Sequence, residues 1–133
     1  MRGAFIAGES DIALKKLTEY TADRLTGSHI PYAYEAFPEG NRKHLSGESV
    51  LYMRIYTEGV MGMRFTGFDT VEFTPSLPRE WEYFKLKNMY MGGVRYDAEA
   101  RRQGGEMVVS IMMDGVAVEE KRGEEGSVFG FRL

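Results

Sequence analysis

The stretch that decides the fold reads Met107-Val108-Val109-Ser110-Ile111-Met112-Met113-Asp114-Gly115-Val116. Residues Met107 to Met113 are apolar on both faces apart from Ser110, which predicts a central strand of a sheet. Asp114 and Gly115 both tolerate a positive φ, so they predict a tight hairpin turn. The chain therefore folds back on itself here, and Val116–Lys121 is predicted as the returning strand.

The same period of two continues on either side of this hairpin. Further strands are predicted at Thr70–Thr74, Phe84–Met89, Val94–Arg101 and Ser127–Leu133. Glycine pairs or prolines separate most of them, as expected where a chain turns tightly. Short antiparallel strands at this spacing predict a small β-sandwich or half-barrel of about six strands.

The front of the chain has helical periodicity instead. A first helix is predicted from Ser10, with Gly27 as its left-handed cap. A second helix is predicted from Ser46 to about Gly59. Because it is apolar nearly all round, we expect it to be mostly buried. The predicted fold class is α+β: two antiparallel helices followed by the antiparallel β-sandwich. One neighbouring helix and one sheet face would not cover the second helix, so the chain either oligomerises or belongs to something larger.

Composition excludes several classes of function. The 133 residues carry a net charge of -3, which argues against a nucleic-acid partner, since such a protein needs a basic face to displace counterions from phosphate. The absence of cysteine excludes disulfides and thiolate chemistry. No apolar run approaches a membrane span, so we expect no membrane partner. His29 and His44 are too far apart for a local metal motif, and we expect neither a metal nor another cofactor.

Residues 28–44 form the one stretch where polar and aromatic groups crowd together without a period. Carboxylates beside aromatic rings suit sugar chemistry, because rings stack on pyranose faces and a carboxylate near an apolar wall can hold a proton or activate water. Glu35 and Glu39 are the candidate catalytic residues. They lie four residues apart across Pro38, so their separation in space is not readable, and a solvated or ion-paired carboxylate is the alternative. The candidate substrate-binding residues are His29, Tyr32, Tyr34, Phe37 and Asn41.

Four motifs carry a resemblance to a known family. They are Tyr34–Asn41, Leu45–Tyr52, Thr57–Arg64 and the element Thr74-Pro75-Ser76-Leu77-Pro78 followed by Trp81. Together they resemble the end of a six-hairpin glycoside hydrolase, an (α/α)6-barrel enzyme of rhamnosidase-like or glucoamylase-like type. The resemblance implies that residues 1–66 are the terminal helical hairpin of the barrel, and that residues 67–133 are the C-terminal β-sandwich that follows it.

The resemblance also implies roles for particular residues. In such relatives a Glu in the loop before the final barrel helix is the catalytic base, and Glu35 falls at the matching place, with Glu39 as the alternative. The general acid lies far upstream in those relatives. We therefore expect a carbohydrate substrate, an upstream barrel or partner chain, and no activity in the isolated chain. The tryptophan common in that loop is absent, and Tyr34 and Phe37 stand in its place. The relatives are often secreted or periplasmic.

Two other functions stay open at this point. One is a non-catalytic carbohydrate-binding module that uses Tyr32, Tyr34, Phe37 or Trp81 as stacking platforms. The other is an interaction domain whose apolar second helix docks on another protein or forms a homo-oligomer. The sequence does not choose the sugar, the linkage or the stereochemical outcome.

Overall fold

The computed structural model describes residues 1–24 and 46–133, and it confirms the predicted α+β class. Within these ranges the helices precede two antiparallel sheets. The helices are α1 (Arg2–Ile6), α2 (Ser10–Arg24) and α3 (Ser46–Arg54), and a π-helical segment (Ile55–Val60) continues α3. The strands are β1 (Arg64–Phe65), β2 (Thr70–Phe73), β3 (Tyr83–Met91), β4 (Val94–Gln103), β5 (Glu106–Met113), β6 (Val116–Gly123) and β7 (Phe129–Arg132).

The four-stranded sheet is a simple meander in the order β3-β4-β5-β6. Each of its connections is a two-residue turn: Gly92-Gly93, Gly104-Gly105 and Asp114-Gly115, all six residues with a positive φ. Positive φ at both turn positions matches the right-handed twist of the flanking strands. The predicted hairpin at Asp114 is therefore confirmed, and β5 is the buried central strand that its composition predicts.

The three-stranded sheet joins segments that are distant in sequence. Its order is β1-β2-β7, with Val71 opposite Phe131 and Arg64 opposite Glu72. Strand β1 was not predicted, because two residues are too few to show a period. The predicted strands at either end of the β half correspond to β2 and β7.

One continuous hydrophobic cluster connects the helices with both sheets. It includes Phe5 and Leu17 from the helices, Phe73 from β2, and Tyr96 and Ile111 from the four-stranded sheet. Tyr96 is 1% exposed, and its hydroxyl finds no hydrogen-bond partner among the described residues. Burial raises the pKa of this hydroxyl. The division of the chain at residues 66 and 67 stays a prediction.

A short segment without helix or strand, residues 74–82, joins the two sheets, and we call it the linker. Arg102 holds the linker in place: its guanidinium donates to the carbonyl oxygens of Leu77 at 2.6 Å, Pro78 at 2.8 Å and Trp81 at 2.9 Å. It also pairs with Glu125 at 2.7 Å. On β4, Arg102 continues the inward-facing row of Tyr96, Ala98 and Ala100. The guanidinium therefore provides hydrogen-bond donors to three backbone carbonyl oxygens that do not pair with a neighbouring strand.

The helices are bound to the same linker. Ser10 Oγ at the start of α2 donates to Leu77 O at 3.1 Å, and the Asp11 carboxylate accepts from the backbone N–H of Arg79 at 2.8 Å. The carbonyl oxygen of Gly62, which follows the π-helical segment, accepts a hydrogen bond from the backbone N–H of Thr74 in the linker. A Cβ at Gly62 would lie 2.1 Å from Thr74 O, and its φ is +60°, so this close approach admits only glycine.

Replacing Arg102 with Ala should destabilise the fold by about 2–4 kcal/mol, because three carbonyls lose a charged donor at once. The free energy of unfolding in urea measures this loss. Arg95→Ala is the matched control on the same strand, since the ion pair that Arg95 forms with Asp114 is exposed and 3.5 Å long. The control should change stability by less than about 0.5 kcal/mol. Equal effects of the two substitutions would contradict the assigned role of Arg102.

Candidate functional site

The loop that carries the predicted catalytic residues lies outside the described residues. This applies to Glu35 and Glu39 and to all five predicted substrate-binding residues, which are His29, Tyr32, Tyr34, Phe37 and Asn41. Their roles stay predictions. The structure describes the two helices that lead into and out of this loop, α2 and α3, and the groups at their junction.

The two ends of the loop are attached to neighbouring helices. Near the end of α2, the Thr21 hydroxyl lies 2.8 Å from the hydroxyl of Tyr52 on α3. The rings of Tyr20 and Tyr52 are 5.9 Å apart and tilted by 45°. The Thr21 hydroxyl and the rings of Tyr20 and Tyr52 therefore form a polar, aromatic junction between α2 and α3.

Aromatic rings continue from this junction to the sheet. Tyr52 meets Tyr56 edge-on at 5.3 Å, and the two hydroxyls are 2.7 Å apart. Tyr56 stacks on Phe84 at 6.3 Å, and Phe84 stacks on Trp81 at 5.9 Å. We call these five residues, Tyr20, Tyr52, Tyr56, Phe84 and Trp81, the aromatic row. Its hydroxyl-bearing end faces the loop junction, and its apolar end reaches the linker.

Two features of the aromatic row bear on the sequence predictions. Trp81, one of the proposed stacking platforms, has a ring face against Phe84, so that face is not available to a sugar. The hydroxyl chain of Thr21, Tyr52 and Tyr56 was not predicted. The four-residue spacing of Tyr52 and Tyr56 shows that they share a helix face, but the contact with Thr21 depends on how α2 and α3 pack.

The π-helical segment replaces the regular end of the predicted second helix. Its Gly59 lies against Phe5 of α1, where a Cβ would come within 3.3 Å of the Phe5 side chain. Glu58 accepts hydrogen bonds from Arg54 and, at 2.6 Å, from Arg2. The bond from Arg54 holds the pKa of the Glu58 carboxyl below its usual range. A general acid needs a raised pKa, so Glu58 binds α1 to the π-helical segment and is unsuited to acid catalysis.

The second helix is less buried than its sequence predicts. On α3, Val50, Leu51 and Met53 are each more than half exposed, and so is Ile12 on α2. The expectation that the second helix is mostly buried is therefore wrong for these positions of α3. It is confirmed for the π-helical end, where Ile55, Gly59 and Val60 are buried, and Tyr52 of α3 is partly buried against the core. We call the three exposed residues of α3, Val50, Leu51 and Met53, the exposed helical face.

Neither a metal site nor a membrane span is evident in residues 1–24 and 46–133. No group of three His, Asp or Glu side chains in these ranges could hold a metal ion, and none of their helices is long and apolar enough to cross a bilayer. Comparison with known protein families, with curated proteins and with solved structures finds no match to this chain.

Replacing Tyr52 with Phe should destabilise the protein by about 1 kcal/mol, because the Thr21 and Tyr56 hydroxyls lose the group between them. Tyr96→Phe is the matched control, since it makes the same change where the buried hydroxyl has no partner among the described residues. The control should leave stability unchanged or raise it. Urea unfolding compares the two variants, and a stabilising Tyr52→Phe would contradict a structural role for the hydroxyl chain.

Proposed function

We propose that this chain is the C-terminal part of a glycoside hydrolase of the six-hairpin type. The exposed helical face is the observation that carries the proposal. Fully burying a side chain such as Val50, Leu51 or Met53 contributes about 1.5–3 kcal/mol each, so covering this face with further helices would be strongly favourable. The helices and both sheets share one core, and the exposed helical face lies outside that core. An apolar helix face left uncovered beside antiparallel sheets is what the end of a barrel enzyme would present.

In this proposal the loop between α2 and α3 supplies one half of the chemistry. Glu35 acts as the general base: it removes a proton from water as the water attacks the anomeric carbon. Glu39 is the alternative for this role. The leaving oxygen takes its proton from an acid on the upstream part of the enzyme. In an inverting enzyme the two carboxyl groups stand about 6.5–9.5 Å apart, which leaves room for that water.

The aromatic row supports this role for the loop. The rings of Tyr20 and Tyr52, and the hydroxyls of Thr21, Tyr52 and Tyr56, gather where the loop is attached. An aromatic and hydroxyl-rich wall suits a sugar cleft, because rings meet the C–H faces of pyranoses and hydroxyls bond to one another. The interlocked hydroxyls also join α2 to α3 and its π-helical continuation, and a general base needs positioned supporting elements.

The longer enzyme, extended upstream by its helical hairpins, should hydrolyse aryl glycosides, and the 133-residue chain alone should not. Glu35→Gln in the longer enzyme should lower kcat by about 10²–10⁴-fold, since the variant cannot accept the proton from water. Glu39→Gln is the matched control and should have a much smaller effect.

Three results bear on this proposal. A large loss with Glu39→Gln and none with Glu35→Gln would transfer the role of the base to Glu39. Robust turnover by the 133-residue chain would contradict the need for an upstream part. The absence of helical hairpins from the reading frame upstream of Met1 would contradict the proposed architecture.

A second candidate function also follows from the exposed helical face. It would serve equally as the contact surface of an interaction domain, either with another protein or with a second copy of this chain. Light scattering on the isolated chain tests this candidate. A dimer that dissociates in Leu51→Glu would favour self-association, whereas a clean monomer would contradict it.

A further inference from the structure

The side of the four-stranded sheet that faces away from the core carries two exposed aromatic rings. Tyr83 and Tyr90, both on β3, are 61% and 69% exposed. They pair with Arg101 and Arg95 of β4, which lie on the same face as each other. These partners are six positions apart on β4, so the tyrosines stand about 20 Å apart at ~3.3 Å per residue. We call this side the outer sheet face.

A β-bulge places both tyrosines on this face. They are seven residues apart, and in a regular strand that spacing would put them on opposite faces. Between Leu86 and Met89, β3 has one residue more than β4, which restores the common face. Within the bulge, Asn88 takes a positive φ of 56°, and its N–H donates to Asp97 Oδ1 at 2.9 Å. Bulges of this kind re-aim side chains at functional edges of sheets.

A network of opposite charges fills the space between the two rings. Lys85 Nζ lies 3.7 Å from Asp97 and 3.9 Å from Glu99, and these three side chains are all less than a quarter exposed. Arg101 bonds to Glu120 at 2.7 Å and to the buried Ser110 hydroxyl at 3.2 Å. These charges nearly balance, and their mutual bonds fix them in place. The result is an ion-paired array of hydrogen-bond donors and acceptors with an aromatic ring at each end.

The charges and aromatic rings of the outer sheet face favour one class of binding partner over others. A nucleic acid requires a net positive surface, and here the charges alternate. The centre of a protein interface is depleted of charged side chains, and here the centre consists of them. A neutral sugar chain fits both features, because its C–H faces stack on rings while its hydroxyls bond to paired carboxylates and guanidinium groups.

We propose that the outer sheet face binds a neutral oligosaccharide longer than a disaccharide. Sugar rings stack on Tyr83 and Tyr90, and hydroxyls between them bond to Asp97, Glu99 and Arg101. The length follows from the spacing of the two rings, which a disaccharide does not span. This binding needs no catalytic loop and no upstream barrel, so it can be tested independently of the proposed hydrolase function.

The experiment titrates the isolated 133-residue chain with malto-, cello- and xylo-oligosaccharides of two to six residues by calorimetry. At least one series should bind saturably, with affinity rising as the chain becomes long enough to reach both rings. Tyr83→Ala and Tyr90→Ala should each weaken binding by about tenfold or more, and Tyr→Phe at either position should retain it, because stacking needs the ring and not the hydroxyl.

Phe68→Ala is the matched control, since Phe68 is an aromatic residue, 87% exposed, that lies outside the four-stranded sheet. It should bind as the unchanged protein does, and circular dichroism should show all variants folded. Absence of binding in every series would overturn the proposal. So would binding that Tyr83→Ala and Tyr90→Ala leave unchanged, or self-association that these two substitutions abolish.

Discussion

The contact of Arg102 with the linker is the interaction on which the rest of the structure depends. The linker carries the chain from the three-stranded sheet to the four-stranded sheet, and it is also where α2 begins to pack. The guanidinium of Arg102 donates hydrogen bonds to three of the linker's backbone carbonyl oxygens, those of Leu77, Pro78 and Trp81. A planar donor group suits this task because several N–H groups diverge from it in fixed directions. Arg102 of β4 therefore helps to hold the helices and the sheets in their relative positions, together with the contacts of Ser10 and Asp11 and the shared hydrophobic cluster.

Strand β5 and helix α3 differ in how completely they bury their apolar residues. Strand β5 is buried along most of its length, whereas α3 leaves Val50, Leu51 and Met53 in solvent. The aromatic row bridges these two regions and ends where the undescribed loop is attached. The proposed hydrolase function assigns the chemistry to the helical part. The outer sheet face, with Tyr83 and Tyr90, lies on the β part and is proposed to have a separate binding role.

Much of the β half could be predicted because its signals are local. A pair such as Asp114-Gly115 defines both a turn and the register of the strands beside it. The burial of α3 could not be predicted. Apolar residues such as Val50 and Leu51 indicate that a helix face favours burial, but the sequence does not show which other part of the protein covers that face. The candidate site could be predicted only as residue types in a loop. The distance between Glu35 and Glu39 depends on a conformation that neither periodicity nor turn chemistry specifies.

The sequence by itself determined the α+β class and the hairpin turn at Asp114-Gly115, because each depends on side chains a few residues apart. Only the tertiary structure decided that Arg102 would hold the linker, that Thr21 would meet Tyr52, and that a bulge would turn Tyr83 and Tyr90 to one face. These contacts join groups on different elements, and their geometry follows from how the elements pack. Local patterns limit the backbone to a few conformations, whereas the placement of side chains across elements is settled by the packing of the whole chain.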